Sequence, residues 1–123
     1  MLEVKPIQTK QEQKEICELC KVEFDPDCLA YSAKEGERLL GVAQFRIFGK
    51  RAVIYDIANA AETDDFEVLV VLCKAALNFL YLCKVGEAIV RTENKRLAKT
   101  LKLAQGSDGY RVDLKDCFKP GHC

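Results

Sequence analysis

The chain has 123 residues, of which 19 are basic and 19 acidic, with 49% hydrophobic and 31% charged positions. That length buries a core without disulfide or metal staples, and the composition excludes a disordered, collagenous or low-complexity chain. Zero formal charge, with basic residues scattered apart from Lys95, Arg96, Lys99 and Lys102, supplies no electrostatic footprint for nucleic acid or an anionic membrane.

Seven cysteines, with no basic-then-apolar leader over Met1 to Pro6, read as reduced thiols in a cytoplasmic protein. Cys28, Cys73 and Cys83 stand in apolar company, where cysteine behaves as a small hydrophobe. The longest apolar stretch, Val68 to Cys83, is broken by Lys74 and Asn78 and is too short for a membrane span, so it reads as a buried core helix.

Taken in order, Leu2 to Ile7 predicts a first strand, which Pro6 confines to an edge or strand end. Thr9 or Gln11 opens a helix through about Glu23, with Ile16, Leu19, Cys20 and Phe24 near helical spacing for one buried face; Asp25-Pro26-Asp27 ends it. Cys28 to Ala33 predicts a short strand and Glu35-Gly36 a turn. Arg38 to Phe48 is a longer strand in which Ala43, Phe45 and Ile47 alternate with Gln44 and Arg46. Gly49-Lys50 closes a hairpin with Arg51 to Ala58, whose Val53, Tyr55 and Ile57 share a face.

Thr63 is the expected N-cap of the long apolar helix, its acidic first turn favoured by the helix dipole, and Gly86 the expected terminator. Ala88 to Arg91 predicts a strand, Glu93 or Asn94 starts a helix to about Ala104 and Gln105 to Gly109 is a loop. Tyr110 to Phe118 forms a last strand or strand pair, with Pro120-Gly121 turning the tail.

This order, strand, helix, three antiparallel strands, helix, strand, helix, strand, resembles the GNAT superfamily of N-acetyltransferases over nearly the whole chain. Leu40 to Ala58 looks like the family's central hairpin and Phe66 to Val90 like its core helix and following strand. Arg91-Thr92-Glu93-Asn94 running to Gly109-Tyr110 looks like its asparagine-to-"Gly-Phe" segment. The resemblance implies an α/β fold of α+β type, a single domain over residues 1–123 with a mixed, mostly antiparallel central sheet and helices on both faces. It further implies an acyl-CoA-dependent N-acetyltransferase that takes acetyl-CoA and an amine acceptor, in a chain acting alone or as a homodimer.

Carried across residue by residue, the resemblance puts the cofactor beside Ile57, Ala58, Asn59, Ala60 and Asn94. Family members hold the CoA pyrophosphate on a Gln/Arg-x-x-Gly-x-Gly/Ala loop before the core helix, and Ala61 to Glu67 matches it at no position. Glu62, Asp64, Asp65 and Glu67 instead supply negative charge. Two like charges at about 4 Å repel by roughly 1 kcal/mol in water and roughly 4 kcal/mol near a protein surface, so acetyl-CoA is expected to bind weakly. Seven residues after Asn94, where many members place a tyrosine acid, stands Leu101. Tyr55 and Tyr110 are the remaining candidate acids, and Glu62 and Asp56 the candidate bases.

Two other function classes come from the same residues. One is a non-catalytic binding module that keeps the fold. The other is a thiol- or metal-dependent sensor: Cys17 and Cys20 share a helix face, and Cys117, His122 and Cys123 in the tail are zinc-type ligands. Zinc pairs normally lie on a turn rather than mid-helix, so free thiols and no metal are expected.

Overall fold

The computed structural model describes residues 1–117, so the expected strand end at Phe118 and the turn at Pro120-Gly121 lie outside the described residues. The elements are β1 (Leu2–Pro6), α1 (Lys10–Leu19), β2 (Leu29–Glu35), β3 (Arg38–Phe48), β4 (Arg51–Asn59), α2 (Phe66–Leu82), β5 (Glu87–Val90), α3 (Lys95–Thr100), β6 (Ala104–Gln105), β7 (Tyr110–Asp113) and α4 (Leu114–Cys117). The strands form one sheet in the order β1-β2-β3-β4-β5-β7-β6, in which only β4 and β5 run parallel. β1 is an edge strand, as its proline requires. The β3–β4 hairpin closes at Gly49, whose φ of 65° the turn demands.

The helices depart from expectation at their ends. α1 begins as predicted at Thr9, whose side chain accepts from the Glu12 amide at 3.1 Å, but it stops at Leu19. Leu19 is 58% exposed and Phe24 lies beyond the helix, so only Gln13, Ile16, Cys17 and Cys20 make the buried face. α2 is capped by Asp65 rather than Thr63, because Ala60 to Thr63 closes a turn of its own, with the Thr63 amide donating to the Ala60 carbonyl at 3.0 Å. Gly86 does not end α2; its amide donates to the Lys50 carbonyl at 2.8 Å, past the terminus.

The actual stop is a lysine, and the device recurs. Lys21, Lys84 and Lys102 adopt left-handed φ of 56°, 67° and 57° just past α1, α2 and α3. The following apolar residue then reaches back: Val22 to the Cys17 carbonyl, Val85 to Leu80 and Leu103 to Ala98, at 3.0, 3.0 and 2.9 Å. These are Schellman caps with lysine where glycine is usual. The third stops α3 at Thr100, short of the expected Ala104, and lets Ala104–Gln105 pair with β7 inside the predicted loop. β7 ends at Asp113, where Leu114 turns fully buried into α4 instead of extending the strand.

Helices cover both sheet faces. α2 lays Val68, Leu72, Cys73, Ala76, Leu77 and Leu80 on one face, against Ala43, Phe45, Ala52, Ile54, Ala88 and Val90. Tyr31 stacks on Phe45 there at 6.0 Å between centroids, and Phe79 meets Tyr31 edge-on at 6.1 Å and Phe45 at a tilt at 5.7 Å. α1 packs Ile16 and Cys20 on the other face, over Val42 and Ala60. α2 approaches β3 closely: a Cβ on Gly41 would stand 2.6 Å from the Ala58 carbonyl oxygen, 3.0 Å from Leu72 Cδ1 and 3.1 Å from Val68 Cγ1.

A β-bulge divides β4. Phe45 pairs with Ile54 but Gln44 pairs with Asp56, leaving Tyr55 as the extra residue. The expected common face of Val53, Tyr55 and Ile57 is thereby broken. Ala52 and Ile54 face α2 before the bulge, and the extra residue brings Ile57 to that side after it, so Val53 and Ile57 point oppositely. Gln44, expected on a polar face, is fully buried because β3 is central and covered on both sides. Its amide uses every hydrogen-bonding position. Nε2 donates to Asp56 Oδ2 at 2.9 Å and the Glu23 carbonyl at 2.8 Å; Oε1 accepts from Gln13 Nε2 at 2.9 Å and the Asp25 amide at 3.3 Å.

Two stability outcomes follow from these contacts. Gly41→Ala is expected to lower the unfolding free energy by about 1–3 kcal/mol through overpacking between β3, β4 and α2, read as a shift of the urea midpoint. Gln44→Ala is expected to cost roughly 2 kcal/mol or more, since it strands buried groups on three elements; a loss below about 0.5 kcal/mol would show that the network is not a structural tie.

Candidate functional site

β5 accompanies β4 only from Arg51 to Ile54, the last link being the Arg91 amide donating to the Ile54 carbonyl at 2.9 Å. After Arg91 the chain leaves the sheet. Thr92 Oγ1 accepts from the Asn94 amide at 3.1 Å, and Asn94 Oδ1 caps α3 by accepting from the Leu97 amide at 2.9 Å. Among the described residues, the β4 edge from Tyr55 to Asn59 therefore has no strand partner on this side. The Ala60 amide bonds β3 through the Leu40 carbonyl, so by the two-residue period Asp56 and Ala58 also turn their backbone groups to β3. The amides and carbonyls of Ile57 and Asn59 face the opening.

Two recesses meet at Arg91. One holds Glu23 and Asp25 from the α1–β2 loop with Tyr55, Asp56 and Arg91; the other continues past Thr92, Glu93, Asp108 and Gly109. Gly109, at φ 136°, is required where β7 meets β5, because a Cβ would stand 2.9 Å from the Val90 carbonyl oxygen. The Arg91 guanidinium lies 5.5 Å from the Tyr55 ring centroid. Asp56 is half-buried behind Tyr55. Burial pushes its pKa up, the Gln44 hydrogen bond pulls against that, and the nearby Glu23 and Asp25 charges add to the rise.

The candidate residues thus separate. Tyr55 and Asp56 share the recess. Ile57 packs on the α2 side of the sheet and Ala58 on the α1 side. Asn59 clamps the β4–α2 loop: Nδ2 donates to the Leu40 and Asp65 carbonyls at 3.3 and 3.1 Å, while Oδ1 accepts from the Asp65 amide at 3.3 Å. Ala60 is buried under α1 and Asn94 is the cap of α3. Glu62 is exposed in the turn before α2, at a left-handed φ of 67°. Tyr110 pairs opposite Val90 in β7 and packs on the α2-side core. Glu62 and Tyr110 line neither recess.

Arg91, Gln13 and the tie made by Gln44 were not singled out in the sequence. The available signals were a polar Gln44 inside an apolar strand and a lone arginine closing the apolar Ala88–Val90 run. A second cation was missed at the start of α2. Asp65 accepts from the Val68 amide at 3.4 Å, and Arg96 reaches over from α3 to lie 3.8 Å above the Phe66 ring.

The thiols are mostly enclosed. Burial pushes Cys17 up to about 11 and Cys20 and Cys28 up to about 12, so they stay protonated. Cys73 is also buried, whereas Cys83, expected in apolar surroundings, is exposed at the end of α2 because it is the helix C-cap. Among the described residues no group of three or more His, Cys, Asp or Glu is arranged to hold a metal; His122 and Cys123 lie outside them. Within the same range, no helix is long and apolar enough to cross a membrane.

No protein-family model and no curated protein matches the chain. Solved structures do. The ribosomal-protein-S18-alanine N-acetyltransferase from Escherichia coli superposes with a TM-score of 0.70 at 12% identity, over 93% of this chain and 94% of that one. The PaiA N-acetyltransferase from Thermoplasma acidophilum, in complex with coenzyme A, gives 0.68 at 9% identity, over 92% and 99%. A GNAT-family acetyltransferase from Streptococcus pneumoniae gives 0.59 at 14% identity, over 83% and 82%. At such identities the likeness is one of architecture, and the chain has the GNAT fold: a mostly antiparallel mixed sheet between helices, opened beside β4.

Proposed function

We propose that the chain is an acyl-CoA-dependent N-acyltransferase acting on small-molecule amines, with the reaction centred on Tyr55 and Asp56 at the β4 bulge. The observation that carries this reading is the unpartnered β4 edge beside those two side chains. An extended donor arm bearing amides can pair with the outward backbone groups of Ile57 and Asn59 as an added strand would. Coenzyme A bound to the Thermoplasma acidophilum structure supports the same class of donor.

Acyl transfer forms a C–N bond to the acceptor and breaks the thioester C–S bond, and protons must be moved at both ends. Asp56 suits the first task. Its half-buried carboxylate accepts the proton from the acceptor's ammonium group, and the Gln44 amide holds Oδ2 so that Oδ1 is left for the acceptor. Tyr55 carries the hydroxyl that returns a proton to the departing thiolate sulfur. Asn59 and Asn94 act outside the recess, Asn59 by its clamp on the loop before α2 and Asn94 by capping α3 where the chain leaves β5, and Ala60 is packed under α1.

The pyrophosphate end fits less well. The N-terminus of α2 already carries the Asp65 carboxylate as its cap, with Glu62, Asp64 and Glu67 around it and no glycine to admit close backbone approach. Arg96 offsets part of that charge, so a donor binds through its arm more than its phosphates. In isothermal titration calorimetry, acetyl-CoA is expected to bind weakly. Glu62→Gly with Asp64→Asn, which keeps the Asp65 cap and relieves the left-handed glutamate, is expected to tighten it severalfold. Micromolar affinity in the unmodified protein would overturn the weak-donor reading.

Asp56→Asn is expected to reduce kcat/KM for amine acylation by about 10²–10⁴. It is also expected to remove an acid limb whose midpoint is raised from the ordinary aspartate value by burial. The same variant should be more stable near neutral pH. A folded-state pKa raised above the unfolded value of about 3.9 gives a contribution that is present below that value and lost as pH rises through the folded one. Retained activity with an unchanged pH profile would remove Asp56 from the mechanism.

A further inference from the structure

The recess beside Tyr55 combines charges that a plain amine does not call for. Glu23, Asp25 and Asp56 give it three carboxylates, which suit an ammonium group. Arg91 stands among them as the one cation of its lining among the described residues. A guanidinium near a bound ammonium repels it, by roughly 4 kcal/mol at about 4 Å near a protein surface, unless the ligand brings a negative charge of its own. Arg91 is also not spent on holding the fold. Among the described residues it makes no ion pair within 4 Å, although Arg46, Arg51 and Arg111 each find a carboxylate. The ring of Tyr55 supports it instead, with the guanidinium carbon 5.5 Å from the ring centroid, a contact through the π-face that uses none of the N–H donors a carboxylate would take in two parallel hydrogen bonds.

Resting on the acyl-transfer reading above, we infer that the acceptor is a zwitterion of amino-acid type. Its carboxylate is held by Arg91 and its ammonium group by the acidic wall that includes Asp56. Arg91 then sets specificity while Asp56 takes the proton. Arg91 directly follows β5 and Asp56 lies on β4, at the point where these strands part, so the acceptor is gripped across the opening with its nitrogen directed to the bulge. The recess has Phe24 and Pro26 on its loop side, which offers apolar contact to a side chain of the acceptor.

The test compares glycine, leucine and phenylalanine with methylamine, isopentylamine and phenethylamine, the same molecules without the carboxylate, using acetyl-CoA as donor. The amino acids are expected to be acylated with at least tenfold higher kcat/KM. Arg91→Gln is expected to bring each pair within about threefold, and Arg91→Lys to restore part of the preference. Binding is followed separately through the Tyr55 ring resonances, which lie under the Arg91 guanidinium and are expected to shift with the amino acids and not with the amines. If nothing is acylated but the amino acids alone shift Tyr55, the acceptor site stands and the acyl-transfer reading falls. Equal turnover or equal shifts for both series overturns the inference, as does a preference that survives Arg91→Gln or the absence of both turnover and shift.

Discussion

The buried amide of Gln44 is the constraint on which the site depends. A primary amide with no solvent exposure must find two acceptors and two donors, and Gln44 finds them on three separate elements: Gln13 of α1, the Glu23–Asp25 backbone and Asp56 of β4. The loop after α1 has no regular structure of its own to fix its course over the sheet. Its backbone is fixed instead by a side chain rising from the central strand. The same amide sits where the β3–β4 register slips, so one residue both locates the acidic wall and holds the carboxylate just beyond the bulge. Lys10 adds to the tie, its ammonium donating to Gln13 Oε1 and the Cys28 carbonyl. A polar network of this kind adds little net energy when complete and costs much when broken, so its value lies in specificity of arrangement.

The bulge converts that arrangement into an opening. A strand with period two would present Val53, Tyr55 and Ile57 on one face, as the sequence pattern leads one to expect. One inserted residue turns Ile57 to the α2 side and frees Tyr55 to sit at the parting of β4 and β5. β5, only four residues long, ends where β4 still has five to run, and Asn94 bends the chain into α3. The opening therefore arises from strand lengths and a cap.

How much of this could be read in advance divides along physical lines. The hairpin, the apolar helix and most of the element order are legible because alternation, a Gly-Lys turn and a long apolar run interrupted only by Lys74 and Asn78 are local signals that tertiary context reinforces. The helix ends differ from expectation because Asp25-Pro26-Asp27 and Gly86 are the conspicuous stops for α1 and α2, whereas Lys21, Lys84 and Lys102 accept left-handed geometry when the next residue is apolar and pulls inward. The pairs Lys21-Val22, Lys84-Val85 and Lys102-Leu103 are that signal, visible once known. A bulge leaves no mark in a single sequence, and neither does a partnership between residues 31 positions apart such as Gln13 and Gln44. Asp56 could be named from its place at a strand's end; Arg91 could not be joined to it without the topology that lays β5 beside β4.

Charge is distributed over the opening in an uneven way that bears on its use. The end near α2 is acidic and already satisfied, since Asp65 caps the helix and Asn59 holds Asp65 in place. An incoming phosphate there would have to displace an internal carboxylate that pays no translational entropy to bind. The end near the bulge is acidic too, but it contains a guanidinium and a strand edge that, among the described residues, have no ion-pair or strand partner. On the acyl-transfer reading proposed above, ligand recognition falls on the bulge and on the exposed backbone of β4, while the start of α2 serves as the cap that Asp65 makes of it. On that same reading, an architecture shared with a coenzyme A-bound acetyltransferase keeps the strand-edge half of a donor site while side chains of the fold itself occupy the phosphate half.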